Sequence, residues 1–182
     1  NGTLPDNVGA LIELRLGAEI IAPANLLTPA VGDRPYAGAL SAGLHTHYAW
    51  KTLEVSMGAD AVFVGPGTGL NEFHGALHDL LGVSQPSSVT ANGQIQNTIR
   101  PTAVVELGKT FELHQSVVLR PFVEGRAGDE TLLRAGFDLT FGQMGLGELL
   151  ARDKVTGQRY RTIRKDWSGY SFVLGADVAH VS

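Results

Sequence analysis

Apolar and polar residues alternate along most of this chain. From residue 9 to 22 the even positions Ala10, Ile12, Leu14, Leu16, Ala18, Ile20 and Ala22 are apolar, while the odd positions include Glu13, Arg15 and Glu19. A period of two marks a β-strand with two unlike faces. Residues 36–50 set Tyr36, Leu40, Ala42, Leu44, Tyr48 and Trp50 against Ser41, His45 and His47. Residues 52–65 set Leu53, Val55, Met57, Ala59, Ala61 and Phe63 against Glu54, Ser56 and Asp60. The pattern returns at 100–111, 116–127, 130–142 and 168–180, with Glu106, Arg120, Glu124, Arg126, Arg134, Asp138 and Asp177 on the polar side. A weaker strand is expected near 157–164. Tight turns are expected at Lys51–Thr52, Glu112–His114 and Gly128–Asp129.

Strand length decides between two architectures. Soluble strands average about 5–6 residues, whereas a strand that crosses a bilayer needs about 9–11. The strands here match the longer class. Their apolar faces carry many small residues, and their polar faces mix Glu and Asp with Arg. Such mixed charge suits pairing inside a narrow barrel. The fold class expected is therefore all-β, an antiparallel transmembrane β-barrel with about eight visible strands and one short helix at a rim. The soluble alternative is a sandwich or lipocalin-like barrel with the apolar face inward.

Composition narrows the picture. The chain has 182 residues, of which 43% are hydrophobic and 18% charged, too apolar for disorder. A net charge of −4 argues against a nucleic-acid partner. The absence of cysteine excludes disulfides and thiolate metal sites. We expect one domain over residues 1–182, with a processed or truncated N-terminus at Asn1.

One stretch breaks the alternation. Residues 65–82, GPGTGLNEFHGALHDLLG, read as a loop and then a helix. Thr68 or Asn71 can cap its start and Gly82 its end. Phe73, Leu77, Leu80 and Leu81 form an apolar stripe. His74 and His78, four residues apart, share a face. Three readings follow from that spacing: a two-histidine metal site, a solvated face, or a general base near neutrality. The zinc motif HExxH is not matched, because Gly75 follows the first histidine.

Several segments together resemble the LpxR-type lipid A 3′-O-deacylases, outer-membrane barrels of Gram-negative bacteria. They are Gly32-Asp-Arg-Pro-Tyr-Ala-Gly38, Gly65-Pro66 followed by Glu72 and His78-Asp-Leu-Leu-Gly82, Gln94-Ile-Gln-Asn97, Leu119-Arg-Pro121 and Ala135–Gly142. The resemblance implies a barrel of twelve strands in the outer membrane and hydrolysis of an acyl ester on lipid A. It implies His78 as the catalytic base, with Glu72, His74 and Asn97 supporting the site or binding substrate. Calcium is the implied cofactor, with lipopolysaccharide and outer-membrane lipids as partners of a monomer. The family's Asn-Asp pair and Thr have no counterpart in this chain, nor does the Lys before its DRPYAG segment; the resemblance thus implies a domain truncated at both ends, with Asn1-Gly2 the tail of the family's second segment. The alternative is a non-catalytic barrel of the same kind. His45 and His47 are expected to pack inward, and Asp33-Arg34 to form an ion pair or turn. Asn97 is expected either to orient the site or to satisfy loop backbone. Arg152, Lys154, Arg159, Arg161, Arg164 and Lys165 are expected in a solvated connection, or against lipid phosphates.

Overall fold

The computed structural model describes residues 4–142, 149–163 and 169–182. Among these, ten strands run in chain order: β1 (Ile12–Ile21), β2 (Ala37–Trp50), β3 (Leu53–Val64), β4 (Thr98–Gly108), β5 (Phe111–His114), β6 (Val117–Ala127), β7 (Leu132–Gly142), β8 (Leu149–Arg152), β9 (Arg159–Ile163) and β10 (Ser171–Val181). A 3-10 turn (Pro66–Thr68), helix α1 (Leu70–Leu81) and a short helix α2 (Ser88–Asn92) lie between β3 and β4. Eight strands make one sheet in the order β1-β2-β3-β4-β6-β7-β10, with β5 beside β6. β8 and β9 form a separate two-stranded ribbon. The pairings of β4 with β6, β6 with β7 and β7 with β10 are antiparallel.

The seven long strands fall where the alternation puts them. Two elements differ. The turn expected at Glu112–His114 is strand β5, and the chain reverses at Gln115–Ser116 instead. The weak strand near 157–164 is β9, but its partner is β8, a segment with no period-two pattern.

The two faces of the sheet take opposite fates. Apolar side chains such as Leu16 (71% exposed) and Leu133 (65%) stand outward, whereas Arg120 (4%) and Glu124 (3%) are buried. This inverts the arrangement of a water-soluble sheet, in which charged groups are almost never fully buried.

Contacts gather the chain into two compact units, one of residues 1–13, 45–58 and 103–182, the other of residues 14–44 and 59–102. The first is organised by buried charge. Arg120 donates from Nε to Glu54 Oε2 at 2.6 Å and from Nη1 to Glu106 Oε1 at 2.7 Å. Arg152, on the β8–β9 ribbon, reaches Glu106 Oε2 at 2.8 Å and Asp138 Oδ2 at 2.7 Å. Its guanidinium also lies 3.4 Å from the centre of the Phe122 ring, a cation–π contact. Arg134 pairs with Glu124 at 3.3 Å, and Thr110 donates to Glu54. His47 meets Glu13 at 2.8 Å, and both His45 and His47 are buried as expected.

The ribbon corrects the reading of the basic segment. Arg152 does not belong to a solvated connection; it is buried, because the acids of β4 and β7 offer it partners. Arg164 and Lys165 lie outside the described residues, as do Asn1 and Gly2.

The second unit has a small apolar core of Ala37, Ala39, Val62 and Val64, with Ile21 and Ile95 packed on it. Asp33 and Arg34 clamp the loop before β2 without pairing to each other's side chains. Asp33 accepts the backbone N–H groups of Ala24 and Arg34 at 2.8 Å each, and Arg34 Nε donates to the Ala22 carbonyl at 2.7 Å.

Removing Arg120 leaves Glu54 and Glu106 buried without their main partner. Arg120→Ala should lower stability by about 3–5 kcal/mol, the usual cost of breaking a buried ion pair from one side. Denaturant unfolding of the two proteins, compared by midpoint, checks this.

Candidate active site

The candidate site lies wholly in the second unit, at the segment where strand gives way to helix. After β3 the Gly65 N–H donates to the Gly38 carbonyl at 2.9 Å. Thr68 Oγ1 donates to the Gly65 carbonyl at 2.8 Å and accepts the Leu70 N–H at 3.3 Å. Gly69, in the left-handed conformation, takes the N-cap position, the Thr68 hydroxyl serves the first helical N–H from the residue before it, and Asn71 lies inside the helix. Gly38 makes this seat possible. A β-carbon there would stand 2.7 Å from Thr68 Oγ1 and 2.9 Å from Leu70 Cβ, too close for either.

Helix α1 buries none of its residues. Its apolar stripe faces outward, with Phe73 60% and Leu80 82% exposed. At about 3.6 residues per turn, His74 and His78 fall on the flank of that stripe. Both are half-buried.

The end of the helix fixes His78. Gly82 takes a left-handed φ of 66°, which lets the chain double back. The Val83 N–H then donates to the His78 carbonyl at 3.0 Å. One residue later the Ser84 carbonyl oxygen lies 2.6 Å from His78 Nδ1. A carbonyl can only accept, so Nδ1 carries the proton. In the neutral ring Nε2 therefore keeps its lone pair, which is the form a general base needs.

His74 links His78 to the sheet. Its Nδ1 is 3.0 Å from the Tyr36 hydroxyl, and its ring meets His78 edge-on with centroids 4.2 Å apart. Burial, then the charge of His78, lowers the pKa of His74 from the usual 6.5. Burial, then the negative charge of Glu72, raises that of Tyr36 above 10.0. Tyr36 therefore remains a protonated phenol across the physiological range.

Glu72 stands exposed in the first helical turn and reaches this group through its charge on Tyr36. Asn97 does another task. Its Oδ1 accepts the Gly67 N–H at 2.8 Å, so it braces the 3-10 turn that precedes the helix. Sequence reasoning missed two groups, the Tyr36 hydroxyl and the Ser84 carbonyl. Tyr36 had a signal, since it lies within Asp33-Arg-Pro-Tyr-Ala-Gly38; a backbone carbonyl leaves none.

Among the described residues no three His, Asp or Glu side chains lie close enough to hold a metal ion. The two-histidine zinc reading thus lacks a third side-chain ligand. The described carboxylates likewise form no cage for calcium, which takes 6–8 oxygen ligands.

No protein-family model matches the chain, and no curated protein matches it. A solved structure does: LpxR from Salmonella typhimurium superposes with a TM-score of 0.73 over 94% of this chain. The chain has an LpxR-like fold. Sequence identity is 20%, and the match covers 60% of the LpxR chain, so the likeness is one of architecture. It bears out the all-β, LpxR-like fold expected from the sequence segments.

The two histidines should be distinguishable by nitrogen-15 NMR of labelled imidazoles. His78 should show the Nδ1–H tautomer, and His74 should titrate below 6.5. A histidine whose folded pKa is depressed binds its proton more readily when unfolded. Its stabilising contribution is therefore complete above 6.5 and fades as pH falls through the folded value.

Proposed function

We propose that this chain is an outer-membrane lipid A deacylase, cleaving an acyl ester with His78 as the general base. The observation that carries the reading is the fixed tautomer of His78, its Nδ1–H held by the Ser84 carbonyl at 2.6 Å. The LpxR-like fold supports the substrate class, and the outward apolar face of the sheet supports the membrane.

Two proton transfers follow from this geometry. Nε2 of neutral His78 takes a proton from water as the oxygen attacks the ester carbonyl. The imidazolium then keeps its Nδ1–H bond to Ser84. Collapse of the tetrahedral intermediate expels the sugar alkoxide, which takes the proton back from Nε2. The 3′-linked acyloxyacyl group is the ester we assign, and lipopolysaccharide the bulk partner of a monomeric barrel. Calcium is the cation that the resemblance implies. Among the described residues no three carboxylates or histidines cluster to hold it, and the proton steps above do not depend on it.

A non-catalytic barrel of the same kind is the second reading.

Mass spectrometry of lipid A from cells expressing the chain, beside His78→Ala, separates the two. We expect loss of one acyloxyacyl group with the wild type and about a 100-fold or greater loss of activity in the variant, as for removal of a general base. Chelation of divalent ions in the same assay reads the calcium requirement. Unmodified lipid A from a folded wild-type protein would leave the non-catalytic barrel. The membrane assignment has its own test. Leu16→Arg puts a charge on the outward face and should cost up to about 2–4 kcal/mol at mid-bilayer depth, read as reduced recovery in the outer-membrane fraction.

A further inference from the structure

We infer that Tyr36 is a positioning residue for the base, acting on His78 through His74. This rests on the reading of His78 as the general base and names the groups that hold it ready.

Tyr36 is 1% exposed, immediately ahead of β2, and its carbonyl accepts the Ile95 N–H at 3.1 Å. It is thus anchored at both ends, by packing and by the segment that leads into β4. Its ring lies nearly parallel to that of His74, at 18° with centroids 5.9 Å apart, and its hydroxyl is 3.0 Å from Nδ1. The titratable groups around His74 are Tyr36 from the segment before β2, and Glu72 and His78 from α1.

The phenol keeps its proton and can donate it to Nδ1. A donor at Nδ1 stabilises neutral His74 with its own proton on Nε2. Two imidazolium ions 4.2 Å apart repel strongly, so the pair carries one positive charge readily and two only at a penalty. With His74 held neutral by Tyr36, the single charge falls to His78, the ring that must accept the proton during reaction. The edge-on contact also sets the tilt of the His78 ring. Without the hydroxyl, His74 would compete for the proton and the ring pair would lose its anchor to the sheet.

Tyr36→Phe tests this, because it keeps the buried ring and removes only the hydroxyl. Histidine NMR titration gives a readout that needs no activity. We expect the His74 midpoint to rise. On lipid A we expect kcat to fall about tenfold with KM unchanged, the pattern of an interaction made only in the transition state. His74→Phe is the second variant; it preserves the edge contact but has no Nδ1. Combined with Tyr36→Phe it should add no further loss, since both act through one pathway. An unchanged His74 midpoint in Tyr36→Phe would overturn the inference, as would additive losses in the double variant. A wild type with no deacylase activity would defeat the proposed function but leave the titration test standing.

Discussion

Buried charge is the constraint that the rest of this structure obeys. The sheet turns its charged face away from solvent, and an ion removed from water must be paired and hydrogen-bonded or it destabilises the fold. Arg120 between Glu54 and Glu106, and Arg152 between Glu106 and Asp138, meet that demand with contacts of 2.6 to 2.8 Å. Glu106 serves both arginines, one at each oxygen, so these side chains form a chain of partners rather than separate pairs. The β8–β9 ribbon joins the sheet through Arg152 in this chain. Its local sequence has little strand character; its position is set by tertiary pairing.

The same constraint explains what the sequence revealed. The long strands were legible because one face must be apolar and the other charged along their whole length. Glu124 opposite Arg134 in the β6–β7 register is that pattern made three-dimensional. The ribbon was not legible. Residues 149–152 read LLAR, without alternation, and nothing local reveals that Arg152 would find Glu106 some 46 residues away. The basic residues around it look alike in sequence, and only the acids across the fold separate a buried arginine from a solvated one.

At the candidate site the segments were legible before their tasks were. Asp33-Arg-Pro-Tyr-Ala-Gly38 reads as the opening of a strand, yet its residues serve the loop before it and the helix. Asp33 and Arg34 hold the preceding loop, Tyr36 meets His74, and Gly38 leaves room for Thr68 and Leu70. The helical spacing identified the shared face of His74 and His78, but spacing is blind to what each ring nitrogen touches. Asn97 shows the converse. It stood out as a polar residue near the site, and its amide proves to brace a turn.

The turn after α1 does two jobs with three residues. Val83 closes the helix on the carbonyl of His78, and Ser84 holds the imidazole of that same residue. The last helical turn and the orientation of the ring are therefore one cooperative unit. Helix ends open locally far more often than a sheet melts. Each such opening would free the ring to exchange its proton between nitrogens, so the molecule would lose its prepared base while the sheet stays intact. Heat tolerance of the fold and heat tolerance of the site are thus separate properties of this protein, the second governed by a three-residue turn.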